Sequence, residues 1–242
     1  MGAFAPAANS LWSVAAVAAE FDTCWTVVRG AAAGDEQARS QFAHHYLRVV
    51  RAFLAKRWRG TAAITGLDDA IQEVFVDLFR DDGALRRLDP ERATSFRAFL
   101  FGVTSKVAMR HESRAAGRRE RRDPAADPQA LAAEQTSMSR AFDREWARGV
   151  VERARHRHRA FASARGERAI RRVELLELRF GEDLPIREIA KRWNVDSAWL
   201  HHEYASARDE FKQALRAEVA FDVTGPTAAV DTECRLVLEL LE

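Results

Sequence analysis

A chain of 242 residues with 47% hydrophobic and 31% charged side chains is long enough for one large domain or two small ones, each with a core of its own. The net charge of +2 is close to neutral, so only local clustering of charge could mark a nucleic-acid surface. The two cysteines, Cys24 and Cys234, stand in no CxxC or Cys/His pair; this argues against a zinc site and a disulfide-stapled secreted fold, and fits a reducing cytoplasm.

The first twenty residues are alanine-rich but carry no Lys or Arg, so the positive end of a secretion signal is missing. Asn9 and Ser10 interrupt the apolar run, nothing elsewhere approaches a membrane span, and Pro6 stands where a myristoylation site wants Ser or Thr. Residues 1–20 therefore read as a loose arm. A short amphipathic helix over 21–33 follows, stopped by Gly34-Asp35. Asp35 caps a longer helix over 36–58, with Phe42, Tyr46, Val49, Val50, Phe53 and Leu54 on one face. His44 and His45 are neighbours there, but adjacent helical positions point about 100° apart, so the pair does not suit a shared metal ion.

Residues 60–66 read as a loop, and Asp68 as the cap of the next helix, DDAIQEVFVDLFR. Its Ile71, Val74, Phe75, Leu78 and Phe79 recur at the spacing of a buried stripe. The opposite face shows Asp69, Gln72, Glu73 and Asp77; such a face is usually just solvated, but it is also how a helix presents itself to a basic partner. After a loop over 81–91 comes Ser95–Arg122, greasy in its first half and arginine-rich in its second. Phe96, Phe99, Leu100, Val103 and Val107 form one stripe, with Phe101 off it. Six arginines (110, 114, 118, 119, 121 and 122) then stand against Glu112 and Glu120. Such a helix can pack a core with one end and hold a phosphate backbone with the other, although charge runs are most often solvated faces.

Residues 123–139 carry two prolines, many alanines and acidic side chains, and read as an acidic, weakly structured linker. The second domain opens with helices over 142–164 and 167–180, separated by Gly166. The run RARHRHR (153–159) reads as surface charge that could meet phosphate; His156 and His158 point nearly opposite ways on a helix and do not suit one metal. The most specific local signal is DLPIREIAKRWNVDSAWLHHEYASARDEF. Ile189, Ala190 and Trp193 make a short helix, Asn194-Val195 a turn in which Asn tolerates a left-handed backbone, and Asp196 or Ser197 the cap of a second helix. Leu200, Tyr204, Ala207 and Phe211 run down one face of that helix. Short helix, tight turn, longer helix is the helix-turn-helix pattern, with a generic helical hairpin as the plainer alternative. No strand-like alternation of useful length occurs, so the expected fold is all-α, two small helical domains joined by an acidic linker.

In order along the chain, these segments resemble the extracytoplasmic-function (group 4) sigma factors of bacterial RNA polymerase. GDEQARSQFAHHYLRVVRAFLAKR resembles the start of sigma region 2, DDAIQEVFVDLF its polymerase-binding helix, and SFRAFLFGVTSKVAMRHESR the segment that opens and reads the −10 element. FDREWARGVVERA and PIREIAKRWNVDSAWL resemble region 4, the reader of the −35 element. LRAEVA and VDTECRLVLELL resemble a subgroup with a short C-terminal extension. The resemblance implies a region 2-like domain over 21–122, a linker over 123–139, a region 4-like domain over 140–221 and an extension over 222–242.

By that resemblance Asp68, Asp69, Gln72, Glu73 and Asp77 would bind the core polymerase. Phe101, Lys106, Arg110, His111, Arg114, Arg118, Arg119, Arg121 and Arg122 would take the −10 strand, where aromatic stacking and phosphate pairing suit single-stranded DNA. Arg192, Ser197, Trp199, His201, His202, Arg208 and Lys212 would meet the −35 duplex in its major groove. The implied partners are core RNA polymerase, promoter DNA and an anti-sigma or recruiting protein, with no membrane, cofactor or metal, in the cytoplasm. One departure stands out: the reading helix sets Arg208, Lys212 and Arg216 against Glu203, Asp209 and Glu210. That balance raises an alternative, a sigma-like adaptor recruited to DNA by a partner protein instead of a −35 element. An enzyme is not indicated, since no HExxH, GxSxG or phosphate-binding loop is present.

Overall fold

The computed structural model describes residues 24–88, 96–116, 128–223 and 227–242. Among them are nine α-helices, one short 3-10 helix and no strand. The chain divides into two compact units, one drawn from residues 1–126 and 221–224, the other from 127–220 and 225–242.

In the first unit α1 spans Cys24–Ala33, α2 Glu36–Arg57, α3 Leu67–Phe79 and α4 Phe96–Ala116. Gly34 takes a φ of 97°, which turns the chain between α1 and α2, and the Asp35 carboxylate accepts from the Gln37 N–H at 3.0 Å as the expected cap. Phe42 is fully buried, with the rings of Tyr46, Phe79, Phe96 and Phe75 at 4.7, 5.3, 5.8 and 6.3 Å around it. These edge-on contacts tie α2, α3 and α4 to one aromatic centre.

Two expectations change here. Residues 62–66 form a 3-10 helix that runs directly into α3, which begins at Leu67 with Gly66 at its cap position. Asp68 therefore sits inside the first turn and pairs with Arg51 at 2.7 Å instead of capping the helix. In α4 the expected stripe is buried at Phe96, Leu100 and Val107, but Thr104, Ser105 and Ala108 complete it. The Thr104 hydroxyl is satisfied locally by donating to the Leu100 carbonyl at 2.8 Å, which lets a polar residue lie in the core face. Further along α4, Glu112 accepts from Arg57 Nε and Nη2 at 2.5 and 2.8 Å and from Trp58 Nε1 at 2.8 Å, fastening the end of α2 to α4.

The second unit opens with α5, Pro128–Arg165. It starts well before the expected helix over 142–164, so 128–139 is helical and not a weakly structured linker; residues 123–127 lie outside the described residues. Pro128 suits a first helical position and the alanines after it are strong helix formers, a propensity that outweighs the segment's acidic, proline-containing composition. Gly166, at φ 91°, separates α5 from α6, Glu167–Gly181.

Then α7 (Ile186–Trp193) and α8 (Ser197–Asp222) form the helix-turn-helix. Asn194 sits in the left-handed region at φ 51°, ψ 50°; the Val195 N–H returns to the Ala190 carbonyl at 3.0 Å, and Asp196 caps α8 by accepting from the Trp199 N–H at 2.8 Å. Leu175, Leu178, Ile186, Ile189, Ala190 and Leu200 fill the core between α6, α7 and α8. The last helix, α9 (Thr227–Glu239), packs on α5 and buries Val230, Cys234 and Val237. Burial pushes the Cys234 thiol up to about 11, so it is protonated and serves as a small core side chain.

The turn residue gives the first test. Asn194→Val should cost about 1–2 kcal/mol in a denaturant melt, because a β-branched side chain strains the left-handed backbone, whereas Asn194→Gly should be nearly neutral.

Candidate functional site

The acidic helix and the basic helix face each other. On α3, Asp68, Asp69 and Gln72 point to solvent, while Glu73 and Asp77 are turned toward α4 and are only 25% and 16% exposed. Arg110 Nη2 lies 3.0 Å from Glu73 and 2.5 Å from Asp77. His111 Nε2 lies 2.7 Å from Glu73, and Arg114 Nη1 3.0 Å from it. Residues that the resemblance divides between polymerase and DNA thus meet one another. Burial works against the charged form of Glu73, but hydrogen bonds from Arg114 and His111 and the charge of Arg110 outweigh it and hold the carboxyl below its ordinary range.

Of the other expected −10 residues, Lys106 is exposed, and Phe101 is half-buried edge-on to Phe53 at 6.0 Å. Arg118, Arg119, Arg121 and Arg122 lie outside the described residues.

In the second unit the basic run 153–159 proves to be partly internal, with Arg155, His156 and Arg159 left exposed. Arg153 and Arg157 both donate to Glu218 of α8, at 3.1 and 2.6 Å, and His158 is buried 3.5 Å from Glu210. Arg159 pairs with Glu177 and His156 with Glu152. The reading as phosphate-facing surface charge is therefore replaced for Arg153, Arg157 and His158: the inward side of α5 is built to clasp carboxylates.

The same arrangement sorts the charges of α8. Glu203 accepts from Arg168 at 2.5 and 3.1 Å and from Arg172 at 2.9 Å, and Arg172 reaches on to Glu210 at 2.6 Å. Glu203, Glu210 and Glu218 lie in register with the buried Leu200, Ala207 and Ala214, so the helix carries its acids on its packed face. The hydrogen bond from Arg168 leads in holding Glu203 below the ordinary carboxyl range, against the opposing effect of burial and with Arg172 adding to it. Burial would raise Glu210, but His158 and Arg172 outweigh it and hold that group low as well. These three inward acids were missed by composition, although their spacing of seven and eight residues on the Leu200 face was the available signal.

What α8 leaves outward is Trp199, His201, His202, Arg208, Asp209 and Lys212, all exposed, with Ser197 half-buried at its start. Arg192, at the end of α7, is exposed and 3.4 Å from Glu182. Trp199 also borders a cleft of about 190 Å³ with Arg168, Arg171 and Trp193. The outward face of the second helix of the helix-turn-helix is thus aromatic and more basic than its composition implies. Among the described residues no group of three or more His, Cys, Asp or Glu could hold a metal, and no helix is long and apolar enough to cross a membrane.

Residues 42–119 match the family model of sigma-70 region 2. The matched stretch takes in most of α2 and all of α3 and α4, the helices that carry the paired acidic and basic faces. The match covers about a third of the chain and supports a sigma region 2-like character for this helical unit. Comparison with curated proteins and with solved structures found no match.

The carboxylates set a pH dependence. Glu73, Glu203 and Glu210 are each more acidic in the folded chain than the ordinary value of 4.5, so the unfolded chain binds more protons and their stabilisation is full above that value. It should be lost as the pH falls from about 4.5 through the folded values. Glu203→Gln should lower stability by about 1–3 kcal/mol at pH 7 and flatten this acid limb, read from denaturant melts between pH 3 and 7.

Proposed function

We propose that the chain is a sigma factor of the extracytoplasmic-function type, acting in the cytoplasm, with a short C-terminal extension. It brings core RNA polymerase to promoters and helps open them. The observation that carries this reading is the region 2 match over α2–α4, together with the outward acidic start of α3. Asp69 and Gln72, with the exposed Asp68 that pairs with Arg51, are the outward groups on α3 that would meet a basic polymerase surface, and the exposed Val76 beside them adds an apolar contact one turn on. The α4 side, with Lys106, Arg110, His111 and Arg114, faces the melted strand, where cations meet phosphate.

In the second unit, α7 and α8 read upstream duplex DNA. Two of the three acids that balanced the reading helix, Glu203 and Glu210, are committed inward. The outward set of Trp199, His201, His202, Arg208 and Lys212 therefore suits phosphate and base edges. This placement favours direct promoter reading over the adaptor, whose support was the helix's formal neutrality.

Binding of the purified chain to bacterial core polymerase is the deciding experiment. Asp69→Arg with Gln72→Arg should weaken that binding by at least about tenfold, since like charges would oppose each other across the interface. Undiminished binding by this variant, or none by the native chain, would sink the reading. His201→Ala with His202→Ala should leave polymerase binding intact and lower transcription from linear promoter DNA; indifference to both histidines and to upstream sequence would favour the adaptor.

A further inference from the structure

We propose that the cleft between the start of α6 and the turn of the helix-turn-helix is a binding site for a small planar aromatic carboxylate. The cleft, of about 190 Å³, draws its lining from α6, from the last residue of α7 and from the first two turns of α8. Its floor is apolar, since Leu175 and Leu200 are fully buried. Trp193 and Trp199 supply aromatic walls, the first half-buried and the second 39% exposed. Sites for drug-sized ligands enclose about 300–1,000 Å³, so this smaller one takes a single or fused ring with its charge attached directly.

Charge selects an anion. Arg168, Arg171 and Arg172 against Glu167 and Glu203 leave the lining one positive charge in excess. Arg172 is turned inward, bridging Glu203 at 2.9 Å and Glu210 at 2.6 Å. Arg168 shares Glu203, but its side chain is 69% exposed and keeps donors for a ligand at the rim. Arg171 is exposed and pairs with no carboxylate among the described residues; its guanidinium carbon lies 5.1 Å from the centroid of the Trp193 ring. Residues three apart on a helix share a face, so Arg168 and Arg171 reach the same rim. A carboxylate there meets planar forks of donors, while the ring that bears it lies against the indoles. Glu167 stands at the same rim, but it is exposed, so its repulsion acts through water and is screened. An aliphatic acid leaves the indole faces unmatched, and a neutral ring leaves Arg171 without a partner.

The test is equilibrium dialysis of the full chain against indole-3-carboxylate, without polymerase or DNA. The native chain should bind it saturably, with a Kd below about 1 mM. Indole, which lacks the charge, and cyclohexanecarboxylate, which lacks the aromatic ring, should each bind at least about tenfold more weakly. Arg171→Ala and Trp199→Ala change exposed side chains and should each weaken binding of indole-3-carboxylate about fivefold or more. Arg155→Ala removes an exposed arginine outside the lining and should change affinity less than about twofold. No saturable binding by the native chain, equal affinity for cyclohexanecarboxylate, or as large a loss from Arg155→Ala as from Arg171→Ala would overturn the proposal. Tighter binding of adenosine monophosphate, whose charge sits beyond a sugar, would overturn it too. The comparison of ligands uses the native chain alone and so decides the matter even where a variant does not fold. Polymerase binding by the Asp69→Arg, Gln72→Arg chain is a separate readout, so failure here leaves the sigma-factor reading standing.

Discussion

Carboxylate–guanidinium pairing between helices is the interaction on which the rest of the structure depends. Glu112 takes Arg57 and the Trp58 indole, Glu73 takes two arginines and His111 of α4, and Glu203, Glu210 and Glu218 are clasped by arginines of α5 and α6. Half-buried ions of this kind add little net stability over apolar packing, because their desolvation offsets most of their attraction. Losing one partner is a different matter, since the remaining charge is left in a poorly hydrated place. Their consequence is geometric: a carboxylate that must meet its guanidinium groups fixes which face of each helix turns inward.

The apolar contribution differs between the units. In the first, Phe42 gathers rings from three helices, and aromatic area does the work of a core that the alanine-rich α1 could not supply alone. In the second, a compact set of Leu, Ile and Ala side chains joins α6, α7 and α8, and Ala190 keeps the helix-turn-helix close. Each arrangement puts the surface proposed for binding on a rigid support. The exposed side of α3 rides on the aromatic centre, and the exposed side of α8 rides on a row of neutralised acids.

Charge sorting also explains how a chain of net charge +2 can keep exposed basic faces. Several of its arginines pair with shielded carboxylates, so composition hides what remains. Along α8 the acids at 203 and 210 turn inward and Trp199, His201, His202, Arg208 and Lys212 turn out, which gives the exposed side a sign that the residue count does not show. On α3 and α4 the cancellation instead takes place at the surface edge itself.

Periodicity alone was enough for the all-α class, for the bounds of α2 and α6 to within a residue or two, and for the turn at Asn194. These depend on local physics: a repeat near 3.6, a capping Asp, and the tolerance of Asn for a left-handed backbone. The region 2 stretch was legible through its resemblance to known family motifs, which are contiguous segments of single helices. Tertiary structure alone decided where the charges go. Asp68 is drawn to Arg51 instead of a cap, Arg153 and Arg157 are drawn to Glu218, and Glu73 meets Arg110 and Arg114. The partners in these contacts lie between 17 and 65 residues apart in the chain. A solvated charge and a clasped one have the same local pattern, and only the approach of a second helix distinguishes them.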